Sequence, residues 1–332
     1  MKNLNLVIAL IIGLSFFSCS EEDSFESYEN QTTQQSIKKK ATENLTIISY
    51  NIYHLPGIAS ILHYKEIERS KEQLDVLRDM VDSLDVIVFQ EGFNQQVETH
   101  LFNQLHDDYP YSTVLVGLYC NQSNYWDSMG GNCSNSPLVV NGGVRVFSKY
   151  PILNKHQYVF NASGYGTPDY YSNKGAVYVE IEKNNKRYHI VGTHLQADHD
   201  NYDGTTVRLN QLKEIKKWVN SFQIPLSEPL FYAGDMNVEY TNKNTYDTMQ
   251  TILNASISYQ FDPSVDMGTY SNTNTLVRDQ YPDYNDTLDY ILIDKEHKQP
   301  IYIPEMKVLR FIKNNEDLSD HYAVKTNYYF TK

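Results

Sequence analysis

Apolar and polar positions divide the chain into a short leader, a polar stretch and a long region where buried-strand and helical patterns alternate. Leu6 to Phe17 is an almost unbroken apolar run behind the charged Lys2. About a dozen residues falls short of the ~20 that span a bilayer, so the pattern predicts an export signal over 1–18. Ser20 to Glu43 is polar, holds Gln31-Thr32-Thr33-Gln34-Gln35 and Lys38-Lys39-Lys40, and has no apolar period. It predicts a flexible tether over 19–43, followed by one folded domain over 44–332.

Within that domain Leu45 to Tyr50 reads as a strand ending in Asn51. Glu66 to Ser83 carries Ile67, Leu74, Leu77, Met80 and Val81 at mostly helical spacing, and Leu84 follows. Asp85 to Gln90 is a buried strand ending in Glu91, and Val97, Leu101 and Leu105 mark another helix. The middle predicts closely spaced strands over Val144–Phe147, Ile152–Phe160, Ala176–Glu182 and Tyr188–Thr193, with Asn184-Asn185 turning the last pair into a hairpin whose end is His194. Thr206 to Ser221 is an amphipathic helix. Leu230 to Asn237 is an apolar strand ending in Gly234-Asp235-Met236-Asn237, where alternation along an extended chain turns Asp235 and Asn237 the same way. Leu288–Ile293 and Ala323–Phe330 are late strands, the last preceded by Ser319-Asp320-His321. Mixed strands with helices between them predict an α/β (α+β) domain of stacked sheets with helical outer layers.

Composition changes this picture little. The 332 residues include 28 tyrosines, which favour strands and half-wet surfaces. A net charge of −13 repels polyanions and argues against a broad nucleic-acid-binding face. Three cysteines are present. Leu14-Ser15-Phe16-Phe17-Ser18-Cys19 resembles a bacterial lipoprotein box with Cys19 lipidated, a plain signal peptide being the alternative. Glu21, Glu22 and Asp23 resemble the sorting signal of some surface lipoproteins. The protein is therefore expected to be exported, held on the outer membrane or cell surface, or otherwise secreted. Cys120 and Cys133 form a candidate disulfide in an exported chain, with two free thiols as the alternative.

The chemistry lies at strand ends. Asn51, Glu91, His194, Asp235 and His321 each flank a buried strand, where an α/β protein gathers its site. Each has a bland reading by itself, as a turn former or a structural histidine. Together they suit one task. Glu91 with Asn51 or Asp320 offers hard oxygen ligands for Mg²⁺. His321 can act as general base, Asp235 can orient it or a water, and Asn237 and His194 can donate to phosphoryl oxygens. No Ser or Cys nucleophile motif stands out, so the set points to metal-assisted hydrolysis of a phosphate ester by water.

Ser49-Tyr50-Asn51, Gln90-Glu91, Gly192-Thr193-His194, Gly234-Asp235-Met236-Asn237, Leu288-Asp289-Tyr290 and Ser319-Asp320-His321, in this order, resemble the endonuclease/exonuclease/phosphatase superfamily with its DNase I-like fold. Tyr158-Val159-Phe160, Ser172-Asn173-Lys174-Gly175, Gly192 to Ala197, Asn210 to Ile215 and Leu288 to Ile291 are similar to bacterial sphingomyelinases C. The resemblance implies a four-layer sandwich of two central mixed sheets flanked by helices. It also implies Mg²⁺-dependent cleavage of sphingomyelin, or a related choline phospholipid, to phosphocholine at a membrane surface by a monomer, with Mn²⁺ or Co²⁺ able to replace Mg²⁺. By the same resemblance Glu91, Asn51 and Asp320 hold the metal, and His321 deprotonates water. Asp235 and Asn237 position nucleophile and phosphate, His194 stabilises charge, and Asp289 supports.

Two departures from that family stand out. The aromatic hairpin that precedes its Ser-Asp-His motif is replaced by a short polar segment, Val308 to Asp320. A second, peripheral metal site is doubtful, because Asp127 follows Trp126 but Tyr125 stands where an acid is expected and Gln95 replaces a ligand. Tyr165, Tyr170, Tyr171, Tyr281 and Tyr284 are candidates for cradling choline by cation–π contact. A nuclease or other phosphatase, and a non-catalytic lipid-binding lipoprotein, are the competing readings.

Overall fold

The apolar runs Ile47-Ile48 and Val86 to Phe89 are buried on both faces because each face meets a different layer. The computed structural model describes residues 43–57, 65–121 and 123–331. The leader, Cys19 and the tether as far as residue 42 lie outside the described residues, as does the side chain of Gln95.

In chain order the first half comprises β1 (Glu43–His54), α1 (Glu66–Asp79), β2 (Val86–Gly92), a helical run α2 over 95–105, β3 (Tyr111–Ser112), β4 (Ser128–Gly131), β5 (Arg145–Ser148), β6 (Ile152–Val159), β7 (Gly175–Lys183) and β8 (Lys186–His194). The second half comprises α3 (Thr205–Asn220), β9 (Leu230–Asp235), α4 (Lys243–Leu253), β10 (Ala255–Ser256), β11 (Tyr270–Ser271), β12 (Asn285–Asp286), β13 (Asp289–Asp294), β14 (Lys307–Leu309), β15 (Ile312–Lys313), β16 (Glu316–Asp317) and β17 (Ala323–Phe330).

One sheet runs β14-β17-β1-β2-β5-β3 and the other β10-β13-β9-β8-β7-β6-β4. Both are mixed, with β1 parallel to β2 and β8 parallel to β9. Their inner faces share one core, in which Ile47, Val86, Val88 and Val146 meet Val177, Ile190, Phe231 and Ile291. The alternate residues Ile48, Tyr50, Ile87 and Phe89 turn outward onto Leu74 and Leu77 of α1 and Leu101 and Leu105 of α2. On the far side Leu212, Ile215 and Val219 of α3 and Tyr246, Met249 and Leu253 of α4 cover the second sheet. The result is the expected four-layer, DNase I-like sandwich, and the period-2 alternation assigns each residue to its layer. At Gly192 the sheets come close enough that a Cβ would meet Val88 Cγ1 at 2.7 Å.

Three local expectations change. The strand Leu230–Asn237 ends at Asp235, because Asn237 takes φ +48°, so strand alternation does not govern where Asn237 points. The first helix ends at Asp79, and its buried face holds Glu66, Arg69, Ser70 and Gln73 besides Leu74 and Leu77. Helix α4 escapes the pattern reading, although Asn242 caps it through Thr245 N and Asn254 ends it at φ +52°.

Candidate active site

Parallel pairing puts the carboxyl ends of β1 and β2, and of β8 and β9, at one end of the sandwich. Antiparallel β13 and β17 bring their amino ends there. His194 lies opposite Asp235, and Asp235 opposite Asp289, in neighbouring strands. Gly234 makes this register possible: at φ +152° a Cβ would stand 2.0 Å from Thr193 O. A cavity of about 300 Å³ opens there, lined by Glu91, His194, Asp235, Asn237, Asp320 and His321 among others. Asn51 and Asp289, both fully buried, stand behind that lining. Glu91 and Asn237 adopt φ +58° and +48°, conformations that cost energy for residues with a Cβ and that concentrate at functional sites.

His321 Nδ1 is 2.8 Å from Asp289 Oδ2, and its Nε2 is 3.7 Å from Asp235 Oδ2. Burial disfavours the imidazolium, but the Asp289 and Asp235 carboxylates outweigh it and raise His321 well above the ordinary histidine value. Asp235 is itself held on both oxygens: Asn237 N donates to Oδ1 at 2.9 Å and Asn51 Nδ2 to Oδ2 at 3.1 Å. Asn51 Oδ1 accepts from Tyr53 N at 3.2 Å, which fixes which way its amide faces.

Glu91 and Asp320 are the poorly satisfied acids. Burial and the neighbouring Asp320 charge push Glu91 up to about 8, with His321 and a hydrogen bond from Asn51 offsetting part of this. Burial likewise raises Asp320 to about 6. Glu91 Oε2 has no hydrogen-bond partner among the described residues. Two carboxyls that resist ionising side by side, one with an orphaned oxygen, fit a divalent cation bound between them. Asp235, Asp289 and His321 also place one ligand atom each within 4.8 Å of one another. The site therefore fits a divalent metal, and its donors are mostly hard oxygens.

His194 faces a cation that the pattern reading passed over. Lys174 Nζ is 3.1 Å from His194 Nε2, 3.0 Å from Leu195 O and 2.8 Å from Asp169 Oδ2. An ammonium only donates, so Nε2 accepts and the imidazole proton sits on Nδ1, a buried atom without a partner among the described residues. Burial, then the Lys174 charge, hold His194 well below the usual histidine value, so the ring is neutral. Asp169 is buried, but the Lys174 charge keeps its carboxyl well below the usual range. Lys174 lies in a loop before β7, where neither strand nor helix periodicity marks it.

That loop is braced by the disulfide region. Cys120 and Cys133 are bonded, and Asn173 Nδ2 donates to Gly117 O and Ser134 O, both at 2.9 Å. Opposite, the polar face of α1 clamps the Asp320 loop. Arg69 donates to Leu318 O at 3.1 Å and Tyr53 O at 2.8 Å, Gln73 to Leu318 O at 2.7 Å and Ile52 O at 3.0 Å. Ser319 Oγ then donates to Asn51 O at 2.6 Å.

The tyrosine candidates separate. Tyr281 and Tyr284 line the cavity, together with Tyr270 and Glu239, whereas Tyr165, Tyr170 and Tyr171 form an edge-to-face cluster outside its lining. The segment before Asp320 is a short hairpin, β15–β16, turned by Asn314 and Asn315. Tyr125 stacks on Tyr119 at 4.3 Å, and Asp127 Oδ2 accepts from Lys155 N at 2.7 Å.

Residues 48–321 match the Endonuclease/Exonuclease/phosphatase family. The chain belongs to that family and is a hydrolase of its phosphodiesterase class. A sphingomyelinase C of Bacillus cereus is 36% identical over 320 residues, which cover 93% of this chain and 89% of the relative. One from Listeria ivanovii is 31% identical, covering 98% of this chain and 96% of the relative. A beta toxin variant from Staphylococcus aureus, solved with bound magnesium ions, has a TM-score of 0.72 at 29% identity and covers 87% of this chain and 100% of that one. Among the described residues no helix is long and apolar enough to cross a membrane.

Proposed function

We propose that the protein hydrolyses sphingomyelin to ceramide and phosphocholine at a membrane surface, with Mg²⁺ as its cofactor. The observation that supports this reading most is the pair of acids Glu91 and Asp320 beside His321, in a chain 36% identical to a sphingomyelinase C. Glu91, with Asp320 and Asn51 beside it, would hold the ion. Bound there, a divalent ion supplies charge that neutralises the two acids, polarises the phosphoryl oxygens and lowers His321 toward the range where it accepts a proton.

The chain's own groups account for the rest. Asp289 fixes the His321 ring so that Nε2 faces the cavity and takes the proton from the attacking water. Asp235, held by Asn51 and the Asn237 amide, orients that water. Neutral His194 and the Asn237 side chain donate to phosphoryl oxygens as negative charge grows on them. The water oxygen bonds to phosphorus and the bond to the ceramide oxygen breaks.

Purified protein with Mg²⁺ is expected to release phosphocholine from sphingomyelin micelles. No release, in an assay that also shows no nicking of plasmid DNA, would remove both the lipid assignment and the nuclease reading. Lipidation at Cys19 would tether the enzyme to its own cell surface. Incorporation of labelled palmitate that is lost in Cys19→Ala tests this.

A further inference from the structure

The cavity has two ends of different chemistry. One holds the catalytic side chains and the other is aromatic. The Tyr270 ring lies 5.0 Å from the His321 ring, so the aromatic end begins beside the position where phosphorus would sit. Tyr281 and Tyr284 stand 6.0 and 5.6 Å from Tyr270 at interplanar angles of 61° and 77°. Rings crossing at such angles form walls of a corner; a parallel stack would hide their faces against one another.

The charge at this end is negative. Tyr284 donates its hydroxyl to Glu239 Oε1 at 2.9 Å, which brings a carboxylate to the corner. Asp198, also in the lining, is matched by Arg208 at 2.8 Å. Glu239 has no Lys or Arg within ion-pair distance among the described residues, and neither residue type lines the cavity. Tyr281 is 38% exposed, so the corner opens outward.

We propose that Tyr270, Tyr281 and Tyr284, with Glu239, form a subsite that selects a quaternary ammonium headgroup. This rests on the phosphodiester hydrolase reading of the same cavity. A quaternary ammonium spreads its charge over methyl groups that pack on aromatic faces and needs no hydrogen bonds. A primary ammonium brings three donors and a tightly held water shell, and this wall offers them one carboxylate, leaving donors unpaired. The short arm between phosphate and ammonium in a choline ester suits the adjacency of Tyr270 and His321. Of the five tyrosines that the sequence leaves as candidates, the geometry selects Tyr281 and Tyr284 and adds Tyr270.

The test compares sphingomyelin with ceramide phosphoethanolamine in mixed micelles, using full-length protein with Mg²⁺, for wild type, Tyr281→Ala, Tyr281→Phe and Tyr284→Leu. The wild type is expected to favour the choline ester. Tyr281→Ala and Tyr284→Leu should each lower kcat/KM for sphingomyelin roughly 3- to 30-fold, mainly through KM, and narrow the choline-to-ethanolamine ratio. Tyr281→Phe, which keeps the ring, should restore both. Calorimetric binding of phosphocholine and phosphoethanolamine reads the same preference without turnover, and melting curves confirm that each variant is folded. Turnover of sphingomyelin with an unchanged ratio in both ring-deleted variants would overturn the subsite and leave the hydrolase reading standing. A phosphocholine preference lost in those variants, without lipid turnover, would support the subsite and overturn the lipid assignment.

Discussion

Lys174 Nζ stands 3.1 Å from Nε2 of His194 while its charge is shared with Asp169 at 2.8 Å. A buried cation thus holds a histidine neutral in a site otherwise crowded with acids. In Lys174→Met the term that lowers His194 is removed and burial alone remains, so His194 is protonated at higher pH than in the wild type. The acid limb of kcat/KM should move to higher pH and kcat should fall roughly 10²-fold. A pH–rate profile checks this, and an equal loss at every pH would mean that Lys174 does not act through His194.

Asp289 accepts from His321 Nδ1, so it sets both the tautomer and the aim of the ring. Asp289→Asn keeps the shape and loses the charge. Turnover should fall by about 10²–10⁴ with little change in KM, and His321→Ala should fall at least as far. Steady-state kinetics on a soluble choline phosphodiester separates the two parameters.

Glu91 is held at about 8 by burial and by Asp320, a repulsion that the protein keeps at the expense of stability. Glu91→Gln removes it. The metal-free variant should melt roughly 2–4 °C above the metal-free wild type, lose the further rise that Mg²⁺ gives the wild type, and be inactive. EDTA should abolish wild-type activity and added Mg²⁺ restore it. Thermal scans with and without Mg²⁺ provide the readout.

His54 is 1% exposed, and burial, with Arg69 nearby, lowers it from 6.5 to about 3. Between those values the unfolded chain binds a proton that the folded chain refuses. Stability therefore falls as pH drops through this window, by up to ~1.4 kcal/mol per pH unit from this group. Urea unfolding at pH 4, 5 and 6 should show a shallower slope in His54→Gln than in the wild type.

Cys120 and Cys133 close a loop with a sequence separation of 13, and Asn173 ties that loop to Lys174. Replacing both cysteines by serine should cost roughly 3 kcal/mol. It should also lower kcat modestly, because the Asn173–Lys174 loop loses its brace. Denaturant unfolding beside kinetics distinguishes the two effects.

Local pattern determined much of this molecule. The double-sided apolar runs of Ile47-Ile48 and Val86 to Phe89 require layers on both faces, and the polar residues that end them, Asn51, Glu91, His194 and Asp235, had to lie at a rim. Their order along the chain was enough to point to the family. What the sequence left open depended on contacts between distant segments. Lys174 carries no periodic signal, and only the packing of its loop against β8 makes it a partner of His194. The polar face of α1 looked like a solvent face until Gln73 and Arg69 met the carbonyls of Ile52, Tyr53 and Leu318. Five candidate tyrosines had equal standing as residues, and three of them fall outside the cavity because ring placement is set by tertiary packing. Residue types and spacing settle which chemistry is present. Only the tertiary structure decides which groups share a low-dielectric cavity, because pKa and cation recognition depend on distances that sequence separation does not encode.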